Sequence, residues 1–354
     1  MVEHPLRTPR PGRNSALKSR LLTLLKGAVS LGLIAFLFLR MDLSQLGGIL
    51  RQAEYLYLLP AALLFLAAMT NSALKWYILL RAQGIRVPFR AVLSYTYVGF
   101  FFNNFLPANV GGDVMRGYGL ARHTEQITEA AISVIVDRVV GMVAFMIAAV
   151  GSATWAIVVM QRSELQGIEA AAAAGLVLTA GGFGVILSRR VRAGLARVFE
   201  WKPIARLAPT YGRVSEALNA YRYGYGPLAA ALCLSLVTLV LTNLTDYLIA
   251  QSLGGGVPLI YIFIFNPIIA FVLLAPISIG GLGVTQAAYP FFYGLVGVST
   301  SLAFAVSLLK QLVIYGTSLP GGMLWWRGRA GASGTTPLRN QETTARPGAH
   351  APNA

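Results

Sequence analysis

Acidic residues are scarce: 13 Asp and Glu stand against 29 Lys and Arg in 354 residues, a net charge of +16. Charged residues of both signs make up 12% of the chain and apolar residues 56%, where an ordinary soluble domain carries about 25% charge. So few charges cannot coat a water-facing surface, which excludes a large soluble catalytic domain. So much apolar composition excludes disorder for most of the chain. The one cysteine, Cys233, lies in an apolar run, and no intramolecular disulfide can form. The histidines, His4, His123 and His350, are far apart. No metal site and no other cofactor is expected from so few soft ligands. No Gly-x-x-x-x-Gly-Lys occurs, so no nucleotide loop is present. The basic balance does not point to nucleic acid, because the cations cluster between apolar segments, the pattern of cytoplasmic loops.

What the chain has in abundance is long apolar runs. Residues 1–20 are polar and basic, and Leu21–Leu39, broken only by Lys26, is long enough to cross a bilayer without cleavage. Further runs cover about 55–80, 91–106, 130–160, 170–188, 227–251, 258–278 and 285–325. The expected fold is all-α: a polytopic integral membrane protein of six to eight transmembrane helices. Loop charge sets the orientation. Residues 81–90 hold three arginines and no acid, and 189–222 hold eight cations against two acids. Both read as inside. Residues 40–54 are neutral and 161–169 slightly acidic, and both read as outside. The protein is expected in the inner membrane with both termini cytoplasmic. A transmembrane domain over 21–326 would lie between the N-terminus, 1–20, and a disordered tail, 327–354. Within that domain, 189–226 reads as an amphipathic segment on the anionic inner leaflet, with Val191, Leu195, Val198 and Phe199 among arginines.

This orientation works only if 91–129 and 258–297 each enter the membrane and return to the same side. Their centres hold helix breakers. The first reads Asn103-Asn104-Phe105-Leu106-Pro107-Ala108-Asn109-Val110-Gly111-Gly112-Asp113, and the second Pro276-Ile277-Ser278-Ile279-Gly280-Gly281-Leu282-Gly283. The shared pattern is Pro-x-small-polar-aliphatic-Gly-Gly. An odd number of crossings separates the copies, which inverts one relative to the other. Two broken elements in an inverted repeat point to a transporter-type site at the midplane, and irregular backbone at that depth must line protein or water. The two breaks are expected to face each other across one cavity.

Ionisable residues within the runs are few: Lys26, Lys75, Asp137, Arg138, Asp246 and Lys310, with Asp113 and Arg116 beside the first break. Each is costly in hydrocarbon unless it meets a cavity or a partner. Lys26 and Lys75 lie near helix ends, where snorkelling also explains them. Asp137 and Arg138 point about 100° apart on a helix and do not pair with each other. They either start a crossing at the inner surface or serve a site. Asp246 and Lys310 sit deeper and would suit a mutual pair. A Gly-Gly turn opening a helix can serve only backbone geometry, or can offer free N–H groups to an anion.

Phe102-Asn103-Asn104-Phe105-Leu106-Pro107 with Gly111-Gly112-Asp113-Val114-Met115-Arg116 resembles the lysylphosphatidylglycerol synthase transmembrane family, a flippase-like domain. Val136-Asp137-Arg138-Val139-Val140-Gly141 is similar to its acidic-Arg-x-x-Gly element, and Pro276–Ala288 to its second Gly-rich element. The resemblance covers about residues 20–326. Two positions depart from the family pattern: Asp137 and Gln286 stand where the family usually has Glu. The resemblance implies lipid translocation, here without the soluble aminoacyl-transfer domain of some members, so lysyl-lipid synthesis is not implied. The expected lipid headgroup site joins Asn103, Asn104, Pro107, Asn109, Gly111, Gly112, Asp113, Arg116, Asp137 and Arg138 to Pro276, Ser278, Gly280, Gly281, Gly283 and Gln286. Arg116 or Arg138 would pair with a phosphate. Partners would be the lipid substrate, anionic leaflet lipids and enzymes of lipid biosynthesis. The rival readings are a membrane-embedded transferase and a non-catalytic partner in lipid or envelope synthesis. Acids scattered singly count against a catalytic constellation, and no enzyme activity is expected.

Overall fold

A computed structural model describes residues 43–105, 111–161, 163, 166–188, 190, 208–222, 225–273 and 281–332. The basic N-terminus, the first apolar run with Lys26, the two break centres 106–110 and 274–280, the basic segment 191–207 and the tail from 333 lie outside the described residues.

Among the described residues the protein is helical throughout: α1 Leu43–Arg51, α2 Leu58–Ala82, α3 Phe89–Phe105, α4 Gly111–Thr124, α5 Ile127–Met160, α6 Gln166–Leu187, α7 Ala208–Arg222, α8 Tyr225–Ser252, α9 Leu259–Val272, α10 Val284–Gly294 and α11 Thr300–Ala332. Five of these are long and apolar enough to cross a membrane: α2, α5, α6, α8 and α11. The leading helices of the two expected hairpins, α3 and α9, are shorter, with 17 and 14 residues. At 1.5 Å per residue they span about 25 and 21 Å, less than the roughly 30 Å hydrocarbon core. The protein is a multi-pass membrane protein.

Each short helix is followed by a return helix that packs back on it. Tyr95 lies beside Gly119 and His123, and Asn103 beside Gly112, so α3 and α4 are antiparallel. Leu273 lies beside Gly281 and Phe265 packs on Phe292, so α9 and α10 are antiparallel too. Both stretches expected to enter and return are helical hairpins.

The α3–α4 contact is close because it is built on glycine. A Cβ on Gly99 would lie 2.7 Å from the Gly112 carbonyl oxygen, and one on Gly112 would overlap the Gly99 carbonyl. Small residues let two backbones approach in this way where lipid offers no hydrophobic drive. Gly321 of α11 meets the Tyr97 carbonyl of α3 in the same manner.

The packing falls into two halves. At the arginine-rich end, Trp76, Leu80, Ile85, Val92, Leu120 and Val134 form one cluster, and Leu79, Val136, Leu218, Tyr221 and Ala231 another. Tyr221 donates to the Leu79 carbonyl (3.1 Å) and to Gln83 Oε1 (3.0 Å). Burial pushes its phenol up, with a further push from Asp137, so it stays a protonated donor. The other half holds the largest cluster, with Phe65, Ile249, Phe265, Tyr289, Phe292 and Phe304. Between the halves, α2 runs antiparallel along α8, locked by Asn71 Nδ2 donating to the Leu234 carbonyl (2.7 Å) and to Thr238 (2.9 Å).

Two local features go beyond the sequence reading. Residues 43–51, within the stretch read as an outer loop, form a helix that buries Leu46 in the larger cluster. The helix of the last crossing, α11, continues past Trp326 to Ala332. Its 33 residues reach about 50 Å, past any hydrocarbon core, so the helix continues into what reads as tail.

Candidate functional site

Two groups of buried charges stand apart in the bundle. The first gathers five residues from three helices. Asp137 of α5 lies between two cations: Lys75 Nζ of α2 is 3.0 Å from Oδ1, and Arg116 of α4 is 2.7 Å from Oδ2. Arg116 also reaches Asp113 Oδ1 at 3.0 Å, one helical turn back. Arg138 donates through Nε and its terminal nitrogen to Asp113 Oδ2, the former at 2.8 Å. Arg116 lies over the Trp76 ring, 5.1 Å from its centroid. With three cations and two carboxylates, the group carries one surplus positive charge.

The helices explain the convergence. Asp113 and Arg116 sit one turn apart near the start of α4, and the Gly99–Gly112 contact holds that start against α3. Asp137 and Arg138 point to different partners because they are adjacent on α5, as the helical angle requires. Lys75 does not snorkel; it is buried against α5 and donates to the Asp137 carbonyl oxygen at 3.4 Å. That geometry leaves Asp137 Oδ1 with a close cation but no directed hydrogen bond, and Arg116 Nε donates to nothing. Unfulfilled donors and acceptors in so buried a group are costly unless a ligand or water meets them.

These five residues line a cavity of about 240 Å³, shared with Asn103 and Gly112 and floored by α8 at Ser235 and Thr238. Asn104 is buried with an unpartnered Nδ2 and, like Gly111, is not among the lining residues.

The second group lies in the other half. Asp246 Oδ2 of α8 accepts from Lys310 Nζ of α11 (2.7 Å), Tyr289 Oη of α10 (2.6 Å) and Asn266 Nδ2 of α9 (2.6 Å). Lys310 also donates to Tyr289 Oη at 2.6 Å. Asn266 bridges on to Asn243 Oδ1 at 3.1 Å and accepts from Tyr293 at 2.9 Å. Asp246 Oδ1, Asn243 Nδ2 and Gln286 Nε2 are buried without partners. The Asp246–Lys310 pair was legible as two deep charges. Asn266 stands out only as the asparagine ahead of the second break, and neither its bond to Asp246 nor the parts of Tyr289 and Asn243 were legible, since spacing along the chain does not show which helices bring them together.

Two of the glycine amides are already taken. Gly112 N–H donates to Asn103 Oδ1 at 2.9 Å, and Gly283 N–H to Gln286 Oε1 at 2.7 Å. In both hairpins a side-chain amide caps the return helix, which occupies the donor an anion would need. Gly281 and Gly283 have φ of +76° and +81°, a conformation that only glycine adopts without strain. The expected phosphate partners are also engaged, Arg116 and Arg138 each with an aspartate.

Of the described residues expected around the first break, all but Asn104 and Gly111 meet in one cavity. Gly281, Gly283 and Gln286 do not line it. Pro107, Asn109, Pro276, Ser278 and Gly280 lie outside the described residues.

The model of the lysylphosphatidylglycerol synthase TM region matches residues 23–321. The chain belongs to this family. The matched span takes in both hairpins and both charged groups. Among relatives, a UPF0104 membrane protein of Methanothermobacter thermautotrophicus is 27% identical over 289 residues, covering 75% of this chain and 83% of the relative. A UPF0104 membrane protein of Pyrococcus horikoshii is 23% identical over 302 residues, covering 79% and 90%. No solved structure matches. Membership in the lysylphosphatidylglycerol synthase TM family connects the chain with membrane lipid biosynthesis or transport.

Proposed function

We propose that the protein moves an amphipathic lipid across the inner membrane, its head a phosphate, isoprenoid phosphate or glycolipid group. The observation that carries this reading is the charged cavity. Five ionisable side chains of α2, α4 and α5 meet beside a helix break, and α2 and α5 are apolar enough to span a bilayer, where such groups mark a substrate path. The chain has no ATP-binding motif, so movement is passive or driven by a gradient.

An inverted repeat supports the same reading. Matching α2–α5 to α8–α11 pairs the long helices α2 and α5 with the long α8 and α11 and one hairpin with the other, with α6 left between the two sets. The contacts follow the match: α3 packs on α11, and its counterpart α9 packs on α5. The charges follow it as well. Asp137 lies ten residues past Ile127 and pairs with Lys75 on α2; Lys310 lies ten residues past Thr300 and pairs with Asp246 on α8. Because α2 and α8 are antiparallel, one repeat is upside down. That is the architecture of alternating access.

The test is purified full-length protein in liposomes with fluorescent lipids and a membrane-impermeant quencher. Inner-leaflet lipid should become quenchable, and Arg116→Ala or Asp113→Ala should abolish this while the protein still inserts. Chemical turnover of the lipid would instead assign a transferase, and neither effect a non-catalytic partner. Comparable transport by mutant and wild type at matched levels would refute the site.

In this reading both termini are cytoplasmic, on the side of the arginine-rich loop. Reporter fusions after Arg20 and after Arg329 should both give cytoplasmic signals. A periplasmic signal from either would overturn the orientation.

A further inference from the structure

A second void adjoins the charged cavity. It is an apolar groove of about 770 Å³ between α4 and α5, walled by Val114, Tyr118, Ala131 and Ile135, with Arg122 toward one end. Asp113 and Arg138 line both voids. Their ion pair is the partition between a charged chamber and a groove walled by exposed apolar side chains of α4 and of α5, which is long and apolar enough to cross a membrane. Arg138 is the least buried member of the group, its side chain 40% exposed against 9% for Arg116.

We infer that this groove holds one hydrocarbon chain of an anionic phospholipid, and that the Arg138–Asp113 pair is the latch through which the lipid's phosphate enters the cavity. This rests on the lipid-translocation reading and names its entry route and substrate charge. Three observations meet here. The groove is within the size range of pockets that hold small ligands and is apolar, as a hydrocarbon chain requires. The adjoining group has three cations for two carboxylates, so one anion neutralises it. Arg116 Nε is a buried donor without an acceptor, which a phosphate oxygen would fill. A phosphate at the latch competes with Asp113 for the Arg138 fork. Arg138 can change partner without unpairing, and the headgroup passes inward while its chain stays in the groove.

The test reads occupancy rather than transport. A fluorophore is attached to Cys at position 135 in full-length Cys233→Ser protein, carried in phosphatidylcholine nanodiscs. A minority of brominated phosphatidylglycerol, or of brominated phosphatidylcholine, serves as quencher. The anionic lipid should quench in roughly fivefold excess over the zwitterionic one. A label at Leu178, exposed on α6 away from the groove, should show no preference. Arg138→Gln should abolish the excess, Asp113→Asn should keep or raise it because a competitor for Arg138 is gone, and Gly117→Leu, which fills the groove, should lower it. Equal quenching by the two lipids overturns the proposal, as does an excess that survives Arg138→Gln or falls with Asp113→Asn. Excess quenching without lipid movement in liposomes would overturn the translocation reading and leave the groove standing. Movement without excess quenching would do the reverse.

Discussion

Replacing Asp137 by alanine is expected to destabilise the protein strongly. Asp137 is buried, and its two oxygens face Lys75 and Arg116. Removing it leaves three cations with one carboxylate, Asp113. Arg116 keeps that partner, whereas Lys75 is left in a buried position without its acid. Breaking a buried pair from one side costs about 3–5 kcal/mol, because the surviving charge is desolvated and uncompensated. The measurement is thermal unfolding of the full-length protein in detergent micelles, with the yield of monodisperse protein beside it. Adding Lys75→Met to Asp137→Ala should recover much of the loss, since it removes the orphaned charge. A single mutant that unfolds with wild type would mean that water reaches these side chains freely, and the charged cavity would be an open surface cleft.

That expectation depends on a meeting that the sequence only half discloses. Asp113, Arg116, Asp137 and Arg138 stand out as charges in or beside apolar runs, and their being costly in lipid marks them at once. Which of them pair is set by the crossing of α2, α4 and α5, and no spacing along the chain encodes it. Lys75, 62 residues from its partner, reads equally well as a snorkelling side chain. The hairpins were legible for a different reason. Loop arginines suggest the side, and the parity of the crossings then requires each of these two stretches to return. The closing of the glycine amides by Asn103 and Gln286 was not legible, because a side-chain cap and an empty anion site demand the same residues until the rotamers are seen. Gln286 carries a further lesson. It stands where the resemblance leads one to expect an acid, yet its carbonyl does a job a carboxylate oxygen would also do.

Gly112→Ala is expected to disrupt the first hairpin outright. An alanine Cβ there would overlap the Gly99 carbonyl oxygen and stand 2.6 Å from Asn103 Oδ1. Neither neighbour yields easily. The first is backbone within a helix, and the second is the cap that accepts the Gly112 N–H. Overpacking a tight contact costs roughly 1–3 kcal/mol and more where the obstacle is backbone. The alternative to strain is for α4 to move off α3. Asp113 and Arg116 ride on the same turn of α4, so such a move would draw both from Asp137 and Arg138, and the loss of stability and of the site would arrive together. Gly151→Ala is the control: it lies in α5 with nothing near its Cβ position, and helix propensity alone should leave it neutral or slightly stabilising. Unfolding temperatures of the two variants in micelles should therefore diverge, with Gly112→Ala lowered and Gly151→Ala unchanged. Equal temperatures for both would show that α3 and α4 do not approach through these glycines, and the placement of Asp113 would then need another cause.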